Sequence, residues 1–156
     1  MSKIEEVRGF IEENNIQAEI IEHEKSGLTS EQAAEVTGVD IEQIIKTLLF
    51  MDKKHRPVIV ICQGHKRVDM NKVMKFVELK KPRLARPKEI KELLGTEPGG
   101  TPPICLPKNI PVLLDKGVTK QEFVVGSAGT KFTGLKLKPY DIVKFSGGKI
   151  VDITEG

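Results

Sequence analysis

Two apolar runs, Leu48-Leu49-Phe50-Met51 and Val58-Ile59-Val60-Ile61-Cys62, flank the polar pentapeptide Asp52-Lys53-Lys54-His55-Arg56. β-Branched and aliphatic residues favour a pleated, covered surface, and five polar residues between two such runs read as a hairpin turn. The chain is therefore expected to build around this hairpin. Its other segments have to cover what the hairpin cannot bury by itself.

Those segments can be read from start and stop signals. Ile4, Val7, Phe10 and Ile11 recur at helical spacing, and residues 16–21 alternate as a strand. Thr29 with Gln32 is a capping box for a short helix that Gly38 closes, and Asp40 with Gln43 repeats the device for a helix through Ile44 and Ile45. Asp69 can cap a helix bearing Val73, Met74 and Val77. Pro87 can open a further helix that Gly95 ends, and Pro139 one that ends by Gly147-Gly148. Residues 112–114, 122–125, 135–137 and 150–153 read as strands. Between them, the Gly- and Pro-rich stretch from Gly95 to Pro103 excludes helix interior and central strand, so an ordered loop is expected. Strands come in adjacent pairs as often as they alternate with helices. That predicts a mixed α/β (α+β) domain with a mixed, partly antiparallel sheet, occupying residues 1–156 as one unit.

Composition narrows the function classes. Hydrophobic residues make up 38% and charged residues 30% of the 156, as in ordinary globular proteins. No run approaches the ~20 apolar residues of a membrane span. The start, Met1 to Glu6, turns acidic at once and lacks an apolar signal core, so a cytoplasmic location is expected and no membrane partner. Cys62 and Cys105 form no CxxC pair and stand beside no histidine run, and neither a metal nor an organic cofactor is indicated.

Net charge is only +3, but it is unevenly spread. Residues 1–52 carry four Lys/Arg against twelve Asp/Glu, while residues 53–91 carry thirteen against three. The second segment includes Lys53, Lys54, Arg56, Lys66 and Lys72. It is either a phosphate-binding patch or a lysine-rich solvated surface.

Four places could carry chemistry. Lys46 is a lone cation in the apolar run Ile44 to Phe50; it either snorkels to water or meets an anion in a cleft. The loop from Gly64 through Arg67 and Asp69 to Lys72 lies between a strand end and a helix start, where free N–H groups favour anions, although Asp69 as a cap would occupy some of them. Gly99-Gly100-Thr101-Pro102-Pro103 can present backbone N–H groups as an oxyanion hole or serve as a stiff connector. Gly126-Ser127-Ala128-Gly129-Thr130 either opens room beside a pocket or is a relaxed turn.

Taken in order, these segments resemble the YbaK/prolyl-tRNA-synthetase-associated domain family of aminoacyl-tRNA editing proteins. The matching pieces are Glu22-His23, Thr29-Ser30-Glu31-Gln32-Ala33-Ala34, Ile45-Lys46-Thr47-Leu48, Gly64-x-x-Arg67-Val68-Asp69 with Lys72, Gly99-Gly100-x-x-Pro103, Gly126-Ser127-Ala128-Gly129 and Pro139-x-Asp141-Ile142 with Gly147-Gly148. The resemblance implies a central barrel-like sheet flanked by helices and a cleft for the aminoacylated 3′ end of tRNA. It implies deacylase activity on small misacylated amino acids in trans, and a synthetase as a possible partner. The family's lysine falls on Lys46 and its glycine loop on Gly99 and Gly100. Substrate contacts would fall on His23, Thr47, Gly64, Arg67, Asp69, Pro103, Gly126, Ser127, Ala128 and Gly129, with Lys53, Lys54, Arg56, Lys66 and Lys72 on the tRNA. Some relatives place a histidine in the loop reading Ser127-Ala128-Gly129-Thr130, and this chain has none. A tRNA- or synthetase-binding adaptor without catalysis, and a hydrolase for another small acyl ester, are the competing readings.

Overall fold

The computed structural model describes residues 2–156. Helix α1 (Lys3–Glu13) starts where the Ser2 side chain accepts the Glu5 N–H, and it buries Val7. Strand β1 (Glu19–Glu22) follows, three residues later than the alternation from Ile16 suggests. Ile16 is instead held under the helix end, its N–H donating to Ile11 O at 3.0 Å. Helix α2 (Ser30–Thr37) carries the expected capping box at Thr29 and the left-handed Gly38 cap.

The second box, at Asp40, produces only a 3-10 turn over Ile41–Gln43 instead of a helix through Ile45. Ile44 is already extended there (φ −81°, ψ 129°), because β-branched Ile44 and Ile45 continue into the sheet. Strand β2 (Ile45–Met51) pairs antiparallel with β3 (Pro57–Gln63), setting Leu48 opposite Val60 and Phe50 opposite Val58. The predicted hairpin is present.

Asp69 caps the short α3 (Met70–Val73), and β4 (Arg83–Leu84) adds a two-residue edge beside β2. Helix α4 (Pro87–Leu94) opens at Pro87 and closes on left-handed Gly95. Next come β5 (Val112–Asp115), β6 (Val124–Ser127) and β7 (Thr133–Leu137), then α5 (Pro139–Ser146) and β8 (Lys149–Val151).

The strands form two sheets, not one barrel-like sheet. One has the order β1-β7-β6 and the other β4-β2-β3-β5-β8, with β5 parallel to β3 and β8. A bridge between Ile44 and Val125 joins the start of β2 to β6. The five-stranded sheet is covered on both faces. Ile59, Ile61 and Leu114 pack in a cluster with Val7, Leu135 and Ile142, while Val58, Val60 and Cys62 pack on Val73 and Ile153. Burial on both sides explains why the run 58–62 is continuously apolar instead of alternating.

The hairpin turn is organised by Asp52. Its carboxylate accepts N–H groups of Lys54, Arg56 and Lys80 at 2.8–2.9 Å and the Arg56 Nε at 2.8 Å. Burial pushes this carboxyl up, but those four donors outweigh it and hold it well below the usual carboxylate range. A depressed folded value means that the stabilisation is present above the unfolded carboxylate range, near pH ~4, and is lost as pH falls below it. Asp52→Asn should therefore lower the thermal midpoint at neutral pH and show a smaller further loss on acidification than wild type. Thermal unfolding at pH 7, 4 and 3 checks this; equal acid losses would show that Asp52 is not a source of the acid sensitivity.

Candidate active site

A cleft of about 220 Å³ opens where the two sheets meet. Its walls come from three strands, one helix and the loops between them. The start of β2 supplies Ile45, Lys46, Thr47 and Leu48, and β6 supplies Val125, Gly126 and Ser127. The segment from His23 to Ser30 and the inner face of α2, with Ala33 and Thr37, form a third wall. Gly99 and Thr101 come from the Gly/Pro loop, and Thr130, Lys131, Thr133 and Gly134 complete the rim.

Lys46 reaches the cleft because β2 begins there, not at a helix end. It pairs with Cys62 across the hairpin, so the two side chains share one face of the sheet. Cys62 is fully buried, and burial pushes its thiol up to about 12, partly offset by the Lys46 charge. Burial also raises the Cys105 thiol. Neither cysteine is a thiolate nucleophile at neutral pH.

The glycine loop is as rigid as its composition predicts. Thr96 Oγ1 and Thr101 Oγ1 lie 2.8 Å apart in a buried hydrogen bond, and the Gly100 N–H donates to Glu97 O at 3.0 Å. The Gly100 amide is thus already engaged. The Gly99 N–H has no acceptor among the described residues, and Gly99 holds φ at +82° with Leu28 packed on its α-carbon; a Cβ there would stand 2.6 Å from Leu28 Cδ1. Of the two glycine amides in this loop, the Gly99 N–H is the unengaged one, and the Thr101 N–H likewise has no acceptor among the described residues.

The second loop is equally tied. Ala128 N–H donates to Thr133 O at 3.2 Å, Gly129 N–H to Ser127 Oγ at 3.2 Å, and Ser127 Oγ–H to Thr130 O at 2.9 Å. Ser127 therefore has no free hydroxyl proton to offer a base, and Ala128 no free amide. Pro103 supports the floor from behind, where a Cβ on Gly126 would come within 3.3 Å of it. Gly64 lies outside the lining, but Ser30 rests against its α-carbon, and its own N–H donates to Ile44 O at 2.8 Å.

Arg67 and Asp69 also lie outside the lining. Asp69 caps α3 through the Asn71 and Lys72 amides, and the backbone on either side is pinned to the C-terminal segment by Asp69 N–H to Ile153 O and Glu155 N–H to Arg67 O. Of the basic candidates, Lys53 and Lys54 are exposed at the hairpin turn and Lys66 is half-buried. Arg56 is paired with Asp52 at 2.8 Å, and Lys72 with Asp152 at 3.3 Å and Thr154 O at 2.8 Å.

His23 sits at the end of β1, its backbone N–H on Phe132 O at 3.0 Å. Its Nδ1 lies 2.6 Å from Lys25 O; a carbonyl only accepts, so Nδ1 carries the proton. Sequence reading missed Lys131 at the rim, whose Nζ lies 5.4 Å from the centre of the exposed Phe132 ring. A Lys-Phe pair directly after the Gly-Ser-Ala-Gly-Thr loop was the available signal. Thr29, Ser30 and Thr101 also line the cleft; the sequence shows the first two as a capping pattern and as part of the resemblance, and the third within the Gly/Pro loop, without marking any of them as a contact.

No helix among the described residues is long and apolar enough to cross a membrane. A crystal structure named "a putative trans-editing enzyme for prolyl tRNA synthetase" superposes with a TM-score of 0.89 at 27% identity, over 100% of this chain and 99% of that one. The Enterococcus faecalis protein named "Putative Cys-tRNA(Pro)/Cys-tRNA(Cys) deacylase EbsC" is 28% identical over 81% of this chain and 77% of its own length. Proline–tRNA ligase of Aquifex aeolicus is 33% identical over 81% of this chain, a match that occupies 22% of the ligase. Residues 24–145 match the aminoacyl-tRNA editing domain, and they contain the whole cleft lining from β2, α2 and both glycine loops except His23. The chain belongs to the aminoacyl-tRNA editing domain family.

Proposed function

We propose that this protein hydrolyses the ester between a small, wrongly attached amino acid and the 3′-terminal adenosine of tRNA, acting in trans in the cytoplasm. The observation that carries the reading is the meeting of Lys46 with the unengaged Gly99 amide in one cleft of about 220 Å³. Ester hydrolysis develops negative charge on the former carbonyl oxygen. A preorganised N–H donor aimed at that charge contributes about 3–4 kcal/mol. Gly99 is that donor, while Lys46, a compact cation, neutralises the oxyanion or the terminal phosphate. It does not hold the substrate's α-ammonium, since like charges repel. The cleft's apolar floor, with Ile45, Val125 and Ala33, favours a small uncharged side chain.

The test is a deacylation panel of tRNAs charged with alanine, cysteine, serine, threonine and proline, each ester's loss timed with and without the protein. Selective loss of one or two esters establishes the activity. Binding of tRNA with no loss of any ester would make the chain an adaptor, and cleavage of free amino-acid esters alone would make it a different hydrolase.

The basic turn lies six residues along β2 from Lys46, about 20 Å at strand rise. Lys53 and Lys54 would therefore meet backbone phosphates of the acceptor stem, away from the reacting end, and such contacts orient without reading sequence. Replacing both with alanine should raise Kd for tRNA roughly tenfold at low salt and flatten the salt dependence, with kcat unchanged. Arg56 is already paired with Asp52, so removing it too should add destabilisation and little binding loss. An unaltered salt slope in the double variant would leave this surface merely solubilising.

A further inference from the structure

We propose that His23 is the general base that activates the hydrolytic water, an inference that rests on the deacylase reading above. Three titratable side chains line the cleft, namely His23, Lys46 and Lys131; no carboxylate and no cysteine does. A base must offer a lone pair, and of these three only an imidazole ordinarily has one available near neutral pH.

The ring is held at one nitrogen. Nδ1 donates to Lys25 O at 2.6 Å, which fixes the tautomer and places the lone pair of the neutral ring on Nε2. Nε2 has no hydrogen-bond partner among the described residues. The ring's Cε1 edge stands against Gly27, another cleft residue, where a Cβ would come to 3.3 Å. The backbone on either side is anchored: His23 N–H donates to Phe132 O at 3.0 Å and Gly27 N–H to Lys131 O at 2.8 Å. An imidazole held at one nitrogen by a carbonyl and free at the other is the arrangement a base needs.

A water oxygen forms a bond to the ester carbonyl carbon while its proton passes to Nε2. The resulting tetrahedral oxyanion is met by Gly99 N–H and the Lys46 charge. As it collapses, the bond from carbon to the ribose oxygen breaks, and the imidazolium returns the proton to that oxygen. The products are the free amino acid and a ribose hydroxyl on the tRNA.

The test uses the whole protein and the ester that it cleaves best. His23→Asn retains a donor near the Nδ1 position but lacks Nε2; kcat should fall roughly 10²–10⁴-fold, the usual contribution of a general base, with KM little changed. His23→Gly should be equally slow, and added imidazole should restore its rate in a saturable way, beyond the loss seen in imidazole without protein. A residue that only shaped the loop would show neither the kcat-specific loss nor the rescue. Full activity of His23→Asn, or an inactive His23→Gly that imidazole does not restore while its thermal midpoint matches wild type, overturns the assignment. Wild-type protein that cleaves no ester overturns the deacylase reading and this inference with it, whereas active wild type with active variants overturns this inference alone.

Discussion

Lys46→Ala is expected to slow deacylation by about 10²–10³-fold, the usual cost of removing one preorganised electrostatic contact from a transition state. The thermal midpoint should move by no more than about 2 °C, because a half-exposed lysine at a strand start contributes little packing. These two results together separate a catalytic lysine from a structural one. The apolar neighbours on the same face, Leu48 and Phe50, already pack on the cluster around Cys62, so shortening the Lys46 stem opens no cavity in the core. Lys46→Arg should fail to restore the rate: a planar guanidinium is larger and forks two ways, while the cleft has room for a point charge. Deacylation timed beside circular-dichroism melting decides the matter. An alanine variant that keeps wild-type kcat would reduce Lys46 to a side chain that snorkels to water.

How far the sequence foretold this site depends on the kind of signal involved. Caps are local chemistry, and they were legible: Thr29 with Gln32, Asp69, Pro87 with Gly95, and Pro139 with Gly147 all mark the ends they predict. A cap gives a start and not a length, however, so Asp40 opened a single 3-10 turn before Ile44 went into the sheet. Pairing between distant strands left no local trace. The three-stranded sheet rests on pairings such as Ile20 with Leu135, and its junction with the other sheet on Ile44 with Val125, contacts that no window of sequence contains. The same limit governs the site. Glycine content picked out both loops, but which of their amides are free depends on acceptors elsewhere in each loop, such as Glu97 O for Gly100 and Thr133 O for Ala128. Charge was legible as a total, and its availability was not. Arg56 and Lys72 belong to the basic segment, yet each is held by an aspartate, one of them eighty residues away along the chain.

Gly100→Ala should injure both fold and function, for a reason that the sequence motif does not state. Gly100 is buried, and its φ lies outside the left-handed region, so an alanine is not strained by its own backbone. What stands in the way is other backbone. A Cβ there would meet Gly129 O at 3.0 Å, Glu97 O at 3.2 Å and Gly129 C at 3.3 Å. Gly129 has little room to retreat, since its own α-carbon faces Ile4 N and Lys3 C, a Cβ on it standing at 3.1 and 3.3 Å. The two loops and the start of α1 are therefore stacked through glycines, and one methyl group must push them apart. Overpacking of this kind costs about 1–3 kcal/mol, which for a chain of this length lowers the thermal midpoint by roughly 2–12 °C. The displacement also shifts Gly99 relative to Lys46, and a misplacement near 1 Å can cost about 10²-fold in rate. Gly99→Ala makes the informative contrast. Its nearest neighbour is the exposed end of Leu28, which can swing away, so its cost comes from φ +82° alone and should be only about 1–2 kcal/mol. Melting and single-turnover deacylation of the two variants distinguish the cases. If Gly100→Ala melts and reacts like wild type, the loops are not locked against each other, and the cleft owes its geometry to β2 and β6 instead.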